Sequence, residues 1–165
     1  LDNISENRTL LPVVTIIIME TFLAKMRRLQ GVRKVLLLEE AWKAIAKEGM
    51  ASYVRYLFKT VRKYFGEAIV VTQEVEDIIS SPIVKESIIN NADCKILLDQ
   101  RKYRNKFDQI QTLLGLTDKE RAQVLSINLS NDPARRYKEV FISLGGVQSA
   151  VYATEVSDEE YLVRP

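Results

Sequence analysis

The stretch Lys34-Val-Leu-Leu-Leu-Glu-Glu40 decides the reading of this chain. Four apolar residues run without polar alternation, the pattern of a strand buried on both faces in a parallel sheet. Two carboxylates follow at its carboxyl end. Two further stretches repeat the theme. Ala68-Ile-Val-Val-Thr72 leads into Gln73, and Lys95-Ile-Leu-Leu-Asp99 leads into Gln100 and Arg101. In sheets of this kind ligands bind beyond the carboxyl ends of the strands. If the three strands are neighbours, their polar ends converge on one rim.

The intervening residues read as helices. Upstream, residues 12–29 carry Ile18, Phe22, Met26 and Leu29 at helical spacing. Pro12 suits a first turn, and Lys25, Arg27 and Arg28 suit a last one. Gly31 ends this helix, and residues 1–9 read as loop. Residues 51–64 place Tyr53, Leu57, Val61 and Tyr64 on one face, with Gly66 as the closing residue. Residues 75–91 read as a helical stretch broken at Ser80-Ser81-Pro82. Residues 103–114 form another helix. Thr117-Asp-Lys-Glu120 has capping-box spacing and starts a short helix ending near Val124. Two strand-like runs, 137–144 and 148–155, flank Gly145-Gly146 as a hairpin. Alternating strands and helices with a terminal hairpin predict one three-layer α/β domain over residues 1–165, its sheet mostly parallel.

Composition narrows the chemistry. The 165 residues are 47% apolar and 28% charged, as in ordinary globular proteins. With 24 basic and 22 acidic residues the net charge is +2, too balanced and too dispersed to imply nucleic acid as the main partner. Cys94 is the single cysteine and histidine is absent. An internal disulfide, a Ser-His or Cys-His nucleophile pair and a His-based zinc site are therefore excluded. The most apolar run, residues 10–19, is too short to span a bilayer. The chain starts with Leu1 rather than Met, as expected of a fragment.

Glu39 and Glu40 after four apolar residues resemble a Walker B motif. There the first carboxylate sits near a magnesium ion, and the second polarises a water for attack on the γ-phosphate. Two solvated glutamates ending a strand would look the same. Glu40-Ala-Trp42 tips the balance, because it resembles the Asp-Glu-Ala-Trp signature of type IV secretion ATPases. Val70-Val-Thr-Gln73 resembles the strand-ending Thr-Gln of that family and of the FtsK/HerA translocases. An amide there offers both a donor and an acceptor to a phosphate or a water, although it would serve equally as a helix cap. Lys59-Thr-Val-Arg-Lys63 resembles the Lys-x-x-Arg-Lys stretch preceding that strand. A solvated basic face is the plain alternative for Lys59 and Lys63.

Taken in order, these segments resemble TraG-type conjugation ATPases of conjugative transposons from Bacteroides-like bacteria. The likeness spans nearly the whole chain. It implies a RecA-like P-loop NTPase fold, incomplete here, and a parent protein that uses ATP and Mg. In the parent, Glu40 would be the catalytic base, Gln73 the γ-phosphate sensor and Arg62 a charge stabiliser in its own or a neighbouring subunit. Glu39 would hold magnesium through water, while Thr72 and Arg101 would help bind nucleotide. It further implies a hexameric ring at the cytoplasmic, inner face of the bacterial inner membrane. Its work there would be pilus assembly or DNA/protein transfer with other conjugation apparatus and coupling proteins, with DNA as a further partner.

Two departures matter. Glu39 stands where the wider family has Asp. No Gly-x-x-x-x-Gly-Lys-Ser/Thr occurs among the six glycines, so the triphosphate lacks its usual cradle. The chain is expected to be the C-terminal part of the domain and inactive alone. The alternative is a non-catalytic module docking onto the conjugation apparatus, with Tyr53, Tyr56, Phe58 and Tyr64 as an exposed aromatic surface.

Overall fold

The computed structural model describes residues 9–39, 48–73, 88–130 and 137–163. The chain divides into two compact units, Leu1–Asn91 and Ala92–Pro165. The first contains helix α1 (Leu10–Arg28), strand β1 (Lys34–Glu39), helix α2 (Glu48–Thr60), a 3-10 turn (Val61–Tyr64) and strand β2 (Gly66–Val71). Among the described residues no helix is long and apolar enough to cross a membrane.

Helix α1 has Pro12 in its first turn and three cations in its last, as the sequence predicts. Its buried residues are Met19, Leu23 and Met26; of the predicted stripe Met26 is buried and Phe22 packs against the core. Ile18 and Leu29 are exposed. The rotation is fixed where Met26 meets Gly66: a Cβ on that glycine would lie 3.3 Å from the methionine sulfur. Helix α2 and the turn after it bury Val54, Leu57, Phe58 and Val61, an i, i+3, i+4, i+7 stripe. These side chains close one core with Leu36 and Leu38 of β1 and with Ile88. The aromatic run is therefore mostly packed into the core, with Tyr56 exposed. Phe58 is buried, Tyr53 and Tyr64 pack against the core, and Tyr56 accepts a hydrogen bond from Arg27 at 2.9 Å.

Strands β1 and β2 pair in parallel, from Lys34 opposite Gly66 to Glu39 opposite Val71. Only one face is covered. Leu36 and Leu38 are buried, whereas Val35, Leu37, Ile69 and Val71 are exposed. An unalternating apolar run requires apolar residues on both faces, but it does not supply what covers them.

Gly66 is not the helix-closing residue expected. The left-handed turn falls on Phe65, at φ 57° and ψ 43°, whose N–H donates to Arg62. Gly66 instead opens β2, where a Cβ would lie 2.9 Å from Val61 Cγ2. The glycine serves a close approach between turn and strand.

The second unit contains strand β3 (Cys94–Leu97), a 3-10 turn (Arg101–Lys106), helices α3 (Phe107–Leu114) and α4 (Asp118–Ser126), strands β4 (Tyr137–Leu144) and β5 (Gln148–Glu155), and helix α5 (Asp158–Val163). Its sheet has the order β3-β4-β5 and is antiparallel throughout. The third predicted strand thus joins an antiparallel sheet, not the β1–β2 ladder, and its Ile96 is exposed. The predicted hairpin forms over its expected bounds, with Gly145 and Gly146 both at positive φ. Phe107, Ile110, Val124, Ile127 and Phe141 are its most deeply buried side chains. The described residues thus form a mixed α/β protein with one parallel and one antiparallel sheet.

The capping box of α4 is complete. Glu120 is also buried, and it accepts from the Thr117 N–H at 2.9 Å, the Thr117 hydroxyl at 3.0 Å and the Ser143 hydroxyl at 3.1 Å. One carboxylate thereby ties α4 to β4. Helix α5 was not predicted, although Ser157 and Glu160 form the same reciprocal pattern at its start.

Candidate functional site

The parallel ladder places the candidate site. Glu39 is the last residue of β1 and lies opposite Val71, the last of β2. Thr72 and Gln73 follow directly. Adjacent strands run about 4.8 Å apart, so Glu39 and the Thr72-Gln73 pair share one rim of the sheet. Glu39 and Gln73 are exposed and Thr72 is half-buried. Apolar strands anchored by Leu36, Leu38 and Val70 thus hold a carboxylate, a hydroxyl and an amide at a solvent-facing edge. Glu40, with Ala41 and Trp42, lies outside the described residues, as does most of the helical stretch expected over 75–91.

Arg62 is elsewhere. It sits in the turn before β2, at the amino end of the strand, whereas Gln73 follows the carboxyl end. Six strand residues at about 3.3 Å each separate the two ends by roughly 20 Å. The chain therefore does not bring Arg62 together with Glu39 and Gln73. Lys59, at the end of α2, and Lys63 share the amino-end location.

Arg101 belongs to the second unit and has a carboxylate of its own. Its Nε donates to both oxygens of Asp99, at 2.9 and 2.8 Å, and its Nη2 and backbone N–H donate to the same group. Hydrogen bonding from Arg101 holds the Asp99 carboxyl below its ordinary value, and Asp99 raises the guanidinium in return. A phosphate reaching Arg101 would have to compete with this pair. Asp99 and Arg101 are only two residues apart, so this pairing was legible in the sequence.

Among the described residues no three His, Cys, Asp or Glu side chains gather to hold a metal. Glu39 is a carboxylate at this rim that could hold a magnesium ion through water.

An acid and a Thr-Gln pair thus end two parallel strands, with helices packed against one face, in a mixed α/β protein. The solved structure of VirB4 from Thermoanaerobacter pseudethanolicus shares the fold, with a TM-score of 0.62 and 23% identity. That match covers 93% of this chain and 38% of the VirB4 chain. The TraG P-loop domain family matches residues 1–164, and the chain belongs to that family. It is also 33% identical over 92 residues to the type IV secretion system protein CagE of Helicobacter pylori. The match covers 56% of this chain and 9% of CagE, so the chain spans only a small part of that relative.

Proposed function

We propose that this chain is the C-terminal part of a type IV secretion or conjugation ATPase, and that it supplies the strand-end half of the catalytic site. The observation that carries the proposal is the β1–β2 register, which sets Glu39 beside Thr72 and Gln73 at one sheet rim. Family membership and the likeness to CagE and VirB4 support the same reading. The phosphate-binding loop, which this sequence lacks, would come from another part of the parent protein.

Magnesium and ATP, when bound, would supply the electrophilic γ-phosphate and neutralise its charge. The residues of this chain hold and orient. Glu39 would hold the magnesium ion through water. Glu40 takes the proton of the attacking water as general base. The Gln73 amide positions that water or senses the γ-phosphate, and Thr72 offers its hydroxyl beside it. Arg62 lies at the far end of β2 and is given no part at this rim, and the parent is proposed to act as a ring, a hexamer. In that setting the parent works at the inner face of the bacterial inner membrane, driving pilus assembly or DNA/protein transfer with the rest of the apparatus.

Changing Glu40→Gln in the full-length parent should lower turnover by about 10²-fold or more while nucleotide binding persists. Unchanged hydrolysis in that variant would overturn the assignment. The isolated chain should show no micromolar ATP binding by calorimetry, and such binding would contradict the division of the site.

A further inference from the structure

We propose that the amino end of the β1–β2 sheet is a docking surface for an anionic lipid bilayer, opposite the candidate catalytic rim. It rests on the membrane-face placement proposed above and names the surface that makes the contact. Charge is the first observation. Residues 25–34 and 59–67 carry eight basic side chains against one acid, Glu67, a local net of +7 in a chain whose total is +2. Dispersed in sequence, these charges gather in the fold. The Lys34 N–H donates to Phe65 O, and its ammonium donates to Tyr64 O at 2.8 Å. Arg33 pairs with Glu67, and Arg27 reaches Tyr56. The end of α1, the start of β1 and the turn before β2 are thereby drawn to one end of the unit.

Apolar exposure in the same place is the second observation. Leu29, Val32 and Phe65 are 47%, 52% and 63% exposed. Phe65 holds the left-handed conformation, which an aromatic residue rarely adopts, and this conformation coincides with its exposure. Apolar tips among lysines and arginines match a bilayer surface, where cations meet phosphate headgroups and apolar side chains enter the acyl boundary. A nucleic-acid backbone would satisfy the charges but leave Leu29 and Val32 in water.

The test is co-sedimentation of the full chain with vesicles of phosphatidylglycerol and phosphatidylcholine, against phosphatidylcholine alone. Binding should need the anionic lipid and weaken with salt. Replacing Arg28, Arg33 and Lys63 by Gln should weaken it about fivefold per charge. Phe65→Gly suits the left-handed turn and keeps the fold, yet should weaken vesicle binding about tenfold. No vesicle binding, or binding untouched by both sets of changes, would overturn the proposal. So would duplex DNA binding of equal strength that ignores Phe65→Gly, which would mark a nucleic-acid surface. Phe65 has no part in hydrolysis, so turnover by the Phe65→Gly parent is expected to persist whichever way the vesicles behave.

Discussion

The two units are held together by different means. In the first, Met19, Leu23, Met26, Leu36, Leu57 and Val61 interlock in an apolar core, and the polar residues stand at strand ends facing solvent. In the second, buried polar groups share the work. Glu120 joins α4 to β4. Asn128, at φ 54°, donates its N–H to Glu139 at 2.7 Å and accepts the Glu139 N–H at 2.9 Å. Glu120 and Asn128 thus spend their hydrogen bonds on tying elements of the second unit together. The proposed chemistry lies in the first unit, at the rim that carries Glu39, Thr72 and Gln73.

Core truncation should weaken each unit most. Phe107→Ala and Leu57→Ala each remove a side chain with no measurable exposure and should cost about 3–5 and 2–5 kcal/mol respectively, read by urea denaturation. The units part company at Glu120. Glu120→Ala leaves three donors without their acceptor and should cost about 1–3 kcal/mol, with no counterpart at Glu39, where the same change should be nearly neutral for stability. Glu120 also links stability to pH. Hydrogen bonding, chiefly from the Thr117 N–H, holds its carboxyl below the ordinary range. A depressed folded value means the stabilisation is complete above the unfolded value of about 4.3 and fades as pH falls through the folded one. Glu120→Gln should flatten that acid limb, and an unchanged limb would remove Glu120 from the account.

Smaller effects test the turn before β2. Gly66→Ala should cost about 1–3 kcal/mol, because its methyl would press on Val61. Phe65→Gly should leave stability within about 1 kcal/mol, since relief of the left-handed strain offsets the added chain entropy.

Local signals were the legible ones. Helix α1, the Thr117–Glu120 box and the Gly145-Gly146 hairpin depend on neighbouring residues, and all formed where expected. The strands of the first unit were legible as apolar runs, and their ends bring Glu39, Thr72 and Gln73 to one rim. Facts set by distant contacts were not. The apolar run at 95–98 does not reveal that β3 pairs antiparallel with β4. The spacing around Gly66 does not show that Val61 crowds it, nor that Phe65 takes the left-handed turn. Arg62 was grouped with Gln73 through the resemblance of Lys59–Lys63 to the Lys-x-x-Arg-Lys stretch, but the strand between them carries the two to opposite ends.

The central claim is that Glu39 and Gln73 serve one phosphate at one rim. It is tested most directly by a double-mutant cycle on ATP turnover in the full-length parent. Glu39→Gln and Gln73→Ala should each lower kcat by about 10²-fold, and the double variant should be little worse than either, as for groups acting as a unit. Losses that multiply independently, or turnover indifferent to both changes, would contradict it.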